Sequence, residues 1–182
     1  MRLLYSIQNF LRQRALRKRL ADRHRTRVSG SLCTARDVLV LYDASEESQN
    51  KVAEKFFDEL KSLNIKVKSI GFAKYKILPH YCIPQLSRQF ICKKDIDILG
   101  VPHQALLNDF LDEEVDLLIS LDQEQDPILQ FLAALSMAHY KVGWNHPDNM
   151  PYFDCLIGGT DPGNVNEYIS QLIHYLTLNS SS

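Results

Sequence analysis

The sequence predicts an α/β fold, a Rossmann-like three-layer sandwich with a mostly parallel sheet, preceded by a basic amphipathic N-terminal helix. Three observations predict it. Strand-like and helix-like segments alternate along most of the 182 residues, the arrangement that sets helices on both faces of a sheet. The strand segments, Val38-Leu39-Val40-Leu41-Tyr42 above all, are continuous apolar runs, as strands covered on both faces are. Finally, the net charge of −1 conceals a split, because residues 1 to 30 hold nine Arg or Lys and one acid, Asp22, whereas the rest holds twelve bases and twenty-one acids. The chain therefore divides into a basic helical arm, 1–30, and a Rossmann-like domain, 31–180.

The elements follow in order. Residues 2 to 27 lack Gly and Pro and set Leu3, Ile7, Phe10 and Leu11 on one helical face, so they predict one basic helix, ended by Ser29-Gly30-Ser31. The apolar run 38–42 predicts a strand, and 47–63 has helical spacing. Lys66 to Gly71 predicts a second strand, 79–87 a connection, and Phe90-Ile91-Cys92 a short third strand. Gln104 to Leu111 predicts a helix, Val115 to Leu121 a buried strand, and Pro127 to Tyr140 a helix opened by Pro in its first turn. Val142-Gly143-Trp144 and Phe153 to Ile157 predict short strands. Val165 to Leu178 predicts a closing helix with Tyr168, Leu172 and Tyr175 on one side, before a frayed tail, Ser180 to Ser182.

In an open parallel sheet the residues just after each strand decide what can bind. Here they are acidic: Asp43-Ala44-Ser45-Glu46-Glu47, Asp122-Gln123-Glu124-Gln125-Asp126 and Thr160-Asp161-Pro162. No glycine follows the first strand, so no dinucleotide or nucleotide phosphate is expected to reach bare backbone amides there, and no cofactor is expected. The candidate crevice is Asp43, Ser45, Asp122 and Trp144. Asp43 with Asp122 has the oxygen chemistry for a divalent cation. The favoured role for these acids is capping, since Asp43 and Glu46 have capping-box spacing. Trp144 is either a core aromatic or a stacking platform.

Four cysteines without a Cys-x-x-Cys pair read as reduced thiols. Six histidines show no i, i+4 pair, and His103 and His146 fall in loops beside prolines. No apolar run approaches the roughly 18–20 residues of a membrane span. The apolar residues of the arm precede its arginines, the reverse of a secretory signal, so a cytoplasmic location is expected; an organellar transit peptide is the alternative.

Three resemblances can be placed on residues. Asp43-Ala44-Ser45 after an apolar strand is similar to the nucleophile segment of haloacid-dehalogenase-like phosphatases, with Ser45 where that family has a second aspartate. The stretch 116–144, "DLLISLDQEQDPILQFLAALSMAHYKVGW", resembles the acceptor half of lipopolysaccharide heptosyltransferases. The whole chain, through "VLVLYDAS", "KVKSIGF", "FICKKDIDILGVP", "DLLISL" and "AALSMAHYKVG", resembles an uncharacterised bacterial family of Rossmann-like form. That resemblance implies a fold and supplies no catalytic residues.

The functional expectation is a noncatalytic adaptor whose arm contacts a polyanion, structured RNA or the ribosome, through Arg12, Arg14, Arg17, Lys18, Arg19, Arg23, Arg25 and Arg27. The alternative is an anionic membrane surface met by the apolar residues and the arginines together, with the domain a glycosyltransferase-like half. A third possibility sets the arm's apolar face against its own domain, a second subunit or another protein.

Overall fold

A strand whose every residue is apolar needs cover on both sides, and Val38 to Tyr42 receives it. Val38, Val40 and Tyr42 belong to one buried cluster, Leu39 and Leu41 to a second on the opposite face. The computed structural model describes residues 2–21, 23–98, 100–103, 108–159 and 162–178. Its elements are α1 (Arg2–Leu20), β1 (Asp37–Asp43), α2 (Glu47–Ser62), β2 (Lys66–Ala73), β3 (Arg88–Cys92), α3 (Asn108–Leu111), β4 (Leu117–Ser120), α4 (Pro127–Leu135), β5 (Tyr140–Trp144), β6 (Cys155–Ile157) and α5 (Val165–Leu178).

The six strands lie in the order β3-β2-β1-β4-β5-β6. Every neighbouring pair is parallel, with Val38 beside Val67 on one side and Leu117 on the other. The fold is thus a Rossmann-like α/β sandwich whose sheet is wholly, not mostly, parallel.

One face is covered by α2, which buries Ala53, Phe56, Phe57 and Leu60 at helical spacing, and by α5. α5 buries Tyr168, Ile169, Leu172 and Leu176 and leaves Tyr175 exposed, a rotation of about one residue from the expected face. The other face is covered by α4 and, through Leu16, by α1. Among the described residues no helix is long and apolar enough to cross a membrane.

Two helices end earlier than their sequence patterns suggest. α1 stops at Leu20, and residues 23–31 form no helix, where the sequence pattern continues helical to 27. α4 stops at Leu135, not Tyr140, because the chain must turn back: Ser136 is extended, His139 N–H donates to Val115 O and Tyr140 already pairs with Leu117. Of the helix expected over Gln104 to Leu111, the last four residues are helical and 104–107 lie outside the described residues, as do Thr160, Asp161 and the tail.

Candidate functional site

The structure separates the candidate residues to the two ends of the sheet. The strap after α1 meets the amino ends of the strands, α1 itself lies along α4 with Arg12 and Gln13 beside Pro127 and Gln130, and the acidic crevice lies at the carboxyl ends.

Within α1 the packing face is not the one the apolar spacing selects. Leu16 and Arg12 turn inward and are buried, Gln13 Nε2 donates to Tyr152 Oη at 2.7 Å, and the Arg19 guanidinium lies 5.5 Å from the centre of the Phe131 ring. Ile7 and Phe10 are instead 48% and 66% exposed. At helical spacing they share the outward face with the exposed Arg14, Arg17 and Lys18.

After α1 the chain is fastened to the domain by two arginines. Arg23 donates to Leu111 O, Leu135 O and the Asp112 carboxylate. Arg25 grips both oxygens of Asp154 at 2.6 Å and reaches Ala138 O at 3.1 Å, the two-pronged geometry that makes a guanidinium–carboxylate pair strong. Arg27 Nε stands 3.6 Å from the same carboxylate. Asp154 also accepts the Lys141 N–H at 2.9 Å, and despite its burial the hydrogen bonds from Arg25 hold its carboxyl below the ordinary range.

Between this strap and the C-terminal end of α4 opens a cleft of about 770 Å³. Arg17, Arg23, His24, Arg25, Arg27 and Lys141 line it, against a single acid, Asp154, among its described lining residues. Lys141 is buried, with Nζ donating to Ala133 O at 2.6 Å and Ala134 O at 3.1 Å. Burial pushes its ammonium down to about 7, and Arg25 pushes the same way. The eight candidate cations therefore fall into three sets: Arg12, Arg19, Arg23 and Arg25 contact their own chain, Arg27 pairs with Asp154 while remaining exposed, and Arg14, Arg17 and Lys18 face outward.

At the carboxyl end, Asp43 does not cap α2. The helix begins at Glu47 with Glu46 as an N-cap lacking a side-chain cap bond, and Asp43 instead accepts the Ser45 N–H at 2.8 Å. Its other oxygen meets Lys74 Nζ at 2.8 Å, which also lies 2.9 Å from Glu124 Oε2 and 3.9 Å from Asp126 Oδ2. Partial burial disfavours the charge on Lys74, yet its hydrogen bonds to Asp43 and Glu124 hold its pKa above the ordinary lysine value. A side-chain ammonium thus occupies one oxygen of Asp43, the first of the two acids that the sequence offers to a divalent cation, and leaves the cluster negative. Among the described residues no group of three His, Cys, Asp or Glu could hold a metal.

Ser45 is equally committed to structure: Oγ accepts the Lys74 N–H at 2.9 Å and its carbonyl accepts the Tyr81 hydroxyl at 2.5 Å. Asp126 does cap α4, accepting the Ile128 N–H at 2.8 Å. Asp122 accepts the Glu124 and Asp126 N–H groups at 3.0 and 2.6 Å, and its burial nonetheless pushes its carboxyl up to about 6.

Trp144 packs edge-on against Tyr168, ring centres 4.9 Å apart, and against Gly158. Gly158 has φ +111°, and a Cβ there would stand 2.2 Å from the indole, so only glycine fits. Asp43 and Asp122 line one cavity and Trp144 an adjoining one; Gln123 and Gly163 line both. Lys74 and Gln123 escape sequence reasoning, Lys74 because it arrives from the end of β2, and Gln123 because an amide between two acids carries no pattern.

An all-parallel Rossmann-like domain with a basic strap under its amino-end rim is the class of protein that this fold and site define. The chain belongs to a family of unknown function, DUF6913, whose model matches residues 8–178 and so includes most of the arm. No curated protein matches it, and the local resemblance to heptosyltransferases is not confirmed.

Proposed function

We propose that this is a noncatalytic binding protein whose basic arm contacts a polyanion, structured RNA or the ribosome. The observation that carries the reading is the convergence of Arg17, Arg23, Arg25 and Arg27 on one cleft that His24 also lines, beside an outward face bearing Arg14 and Lys18. A potential of one sign in a cleft concentrates counter-charge. Phosphates are the polyanion that arginine forks match, and a cytoplasmic location accompanies the reading. The test is co-sedimentation with ribosomes and with purified RNA across a salt series. With Arg14, Arg17 and Lys18 engaged, and Arg27 from its exposed side, log K against log salt should fall with a slope of about −3 to −4. Absence of binding at low salt, or binding unchanged without residues 1–27, overturns the reading.

A second reading rests on Ile7 and Phe10, whose exposure beside Arg14 and Lys18 suits the boundary of an anionic bilayer. Liposome flotation separates the two. If the membrane is the partner, the parent floats with anionic vesicles and Ile7→Ser with Phe10→Ser abolishes flotation; if RNA is, the parent co-sediments with RNA and the two substitutions leave that binding intact.

A further inference from the structure

At the opposite end of the sheet from the strap, two buried hydrogen-bond donors have no partner among the described residues. The Gln123 side chain is 7% exposed and Trp144 is 4% exposed, yet neither Gln123 Nε2 nor Trp144 Nε1 is hydrogen-bonded. Buried N–H groups are nearly always satisfied in native proteins, so two in one place call for an acceptor. Both side chains line a cavity of about 120 Å³ with Asn164, Glu167, Tyr168 and Gln171. Gln123 and Gly163 also line the adjoining cavity of about 150 Å³, where Asp43, Asp122 and Glu124 stand.

Position argues independently. β1 leads into α2 on one face of the sheet and β4 into α4 on the other, so the chain diverges at the carboxyl ends of these neighbours and leaves the crevice where open parallel sheets bind ligands. We propose that this crevice binds a small uncharged polyhydroxy compound, one oxygen of which accepts from Gln123 Nε2 and Trp144 Nε1 while neighbouring hydroxyls donate to the carboxylates. Chemistry sets the class: two N–H donors want an acceptor oxygen, and Asp43, Glu124 and Glu167 want donors and repel an anion. A hydroxyl is both donor and acceptor. The cavities are smaller than the roughly 300 Å³ lower bound of drug-sized pockets, which holds the ligand to the dimensions of a simple sugar or cyclitol.

The chain has one tryptophan, so the ¹H–¹⁵N spectrum contains one indole cross-peak, and its N–H is one of the two donors. Titration of the full chain with D-glucose and with myo-inositol should move that peak saturably for at least one of them, and glucose 6-phosphate should bind more weakly than glucose. Gln123→Leu removes the amide donor, and Gln123→Glu replaces it isosterically by an acceptor. Either should weaken the binding about tenfold or more, the loss expected for one buried hydrogen bond. The proposal is overturned if neither neutral probe gives a saturable shift, if glucose 6-phosphate binds more tightly than glucose, or if Gln123→Glu, folded by its amide dispersion, binds as the parent does. RNA co-sedimentation of Gln123→Glu should match the parent, so failure here and failure of the polyanion reading are told apart.

Discussion

α4 has a buried ionisable group at each end, and the two are handled in opposite ways. At its start Asp122 accepts two backbone N–H groups, and at its finish Lys141 donates to the last carbonyls, Ala133 O and Ala134 O. Each charge faces the end of the helix dipole that favours it. Yet burial dominates at both, raising the acid to about 6 and lowering the base to about 7. A helix nine residues long carries too little terminal charge to replace lost water. The ends differ in their surroundings: Asp122 sits in a crevice sealed by strands, Lys141 under a strap held by side chains.

The largest expected effect probes the sealed end. Gly158→Val forces a positive φ on a β-branched residue and drives it into Trp144, and should lower stability by about 3–4 kcal/mol, read by urea denaturation. At the strapped end Asp154→Ala removes the shared acceptor of Arg25, Arg27 and the Lys141 N–H. It should lower stability by about 2–3 kcal/mol and open residues 21–30 to limited proteolysis, while Gly158→Val should leave that segment protected. Equal cleavage in both variants would mean the two ends unfold as one.

Opposite pH dependences should sharpen the contrast. Asp122 binds its proton more tightly folded than unfolded between about 4 and about 6, so its contribution falls as pH rises through that window. Lys141 is neutral when folded and charged when unfolded between about 7 and 10.5, so its contribution rises with pH there. Each slope is at most about 1.4 kcal/mol per pH unit. Lys141→Met should flatten the alkaline limb alone and Asp122→Asn the acid limb alone, measured as denaturation midpoints from pH 4 to 10. The smallest effect is Asp126→Ala, which removes the α4 cap and should cost about 1 kcal/mol; because burial raises the pKa of Asp126 and its charge helps raise that of Asp122, the acid limb should become shallower while the alkaline limb is unchanged.

Much of the sheet is legible in the sequence because its strands are apolar on both faces, a signal that survives without knowledge of neighbours. Helix phase is less so. The spacing of Leu3, Ile7, Phe10 and Leu11 selects one face of α1, but Leu16 with the buried Arg12 selects the other, since a long arginine can cover an apolar neighbour while its head finds polar partners. In the crevice, Asp43, Asp122 and Trp144 are foreseeable as residues following strands. Lys74 is not, because it reaches Asp43 and Glu124 only once β2 lies beside β1, and it offsets one unit of the negative charge they imply. The amide of Gln123 is informative only through what it fails to touch.

The strap has a consequence for the order in which the chain is made. Its anchors are Leu111, Asp112, Leu135, Ala138 and Asp154, and just beyond it Ser31 Oγ donates to Leu176 O across 145 residues of chain. Asp154, the last of the strap's anchors, follows Arg25 by 129 residues, which at the usual translation speed of about 5–20 residues per second corresponds to a delay of roughly 6–26 s. Until then the Arg25 grip cannot form, and the most basic stretch of the polypeptide stands at the mouth of a tunnel walled with RNA without its full set of anchors.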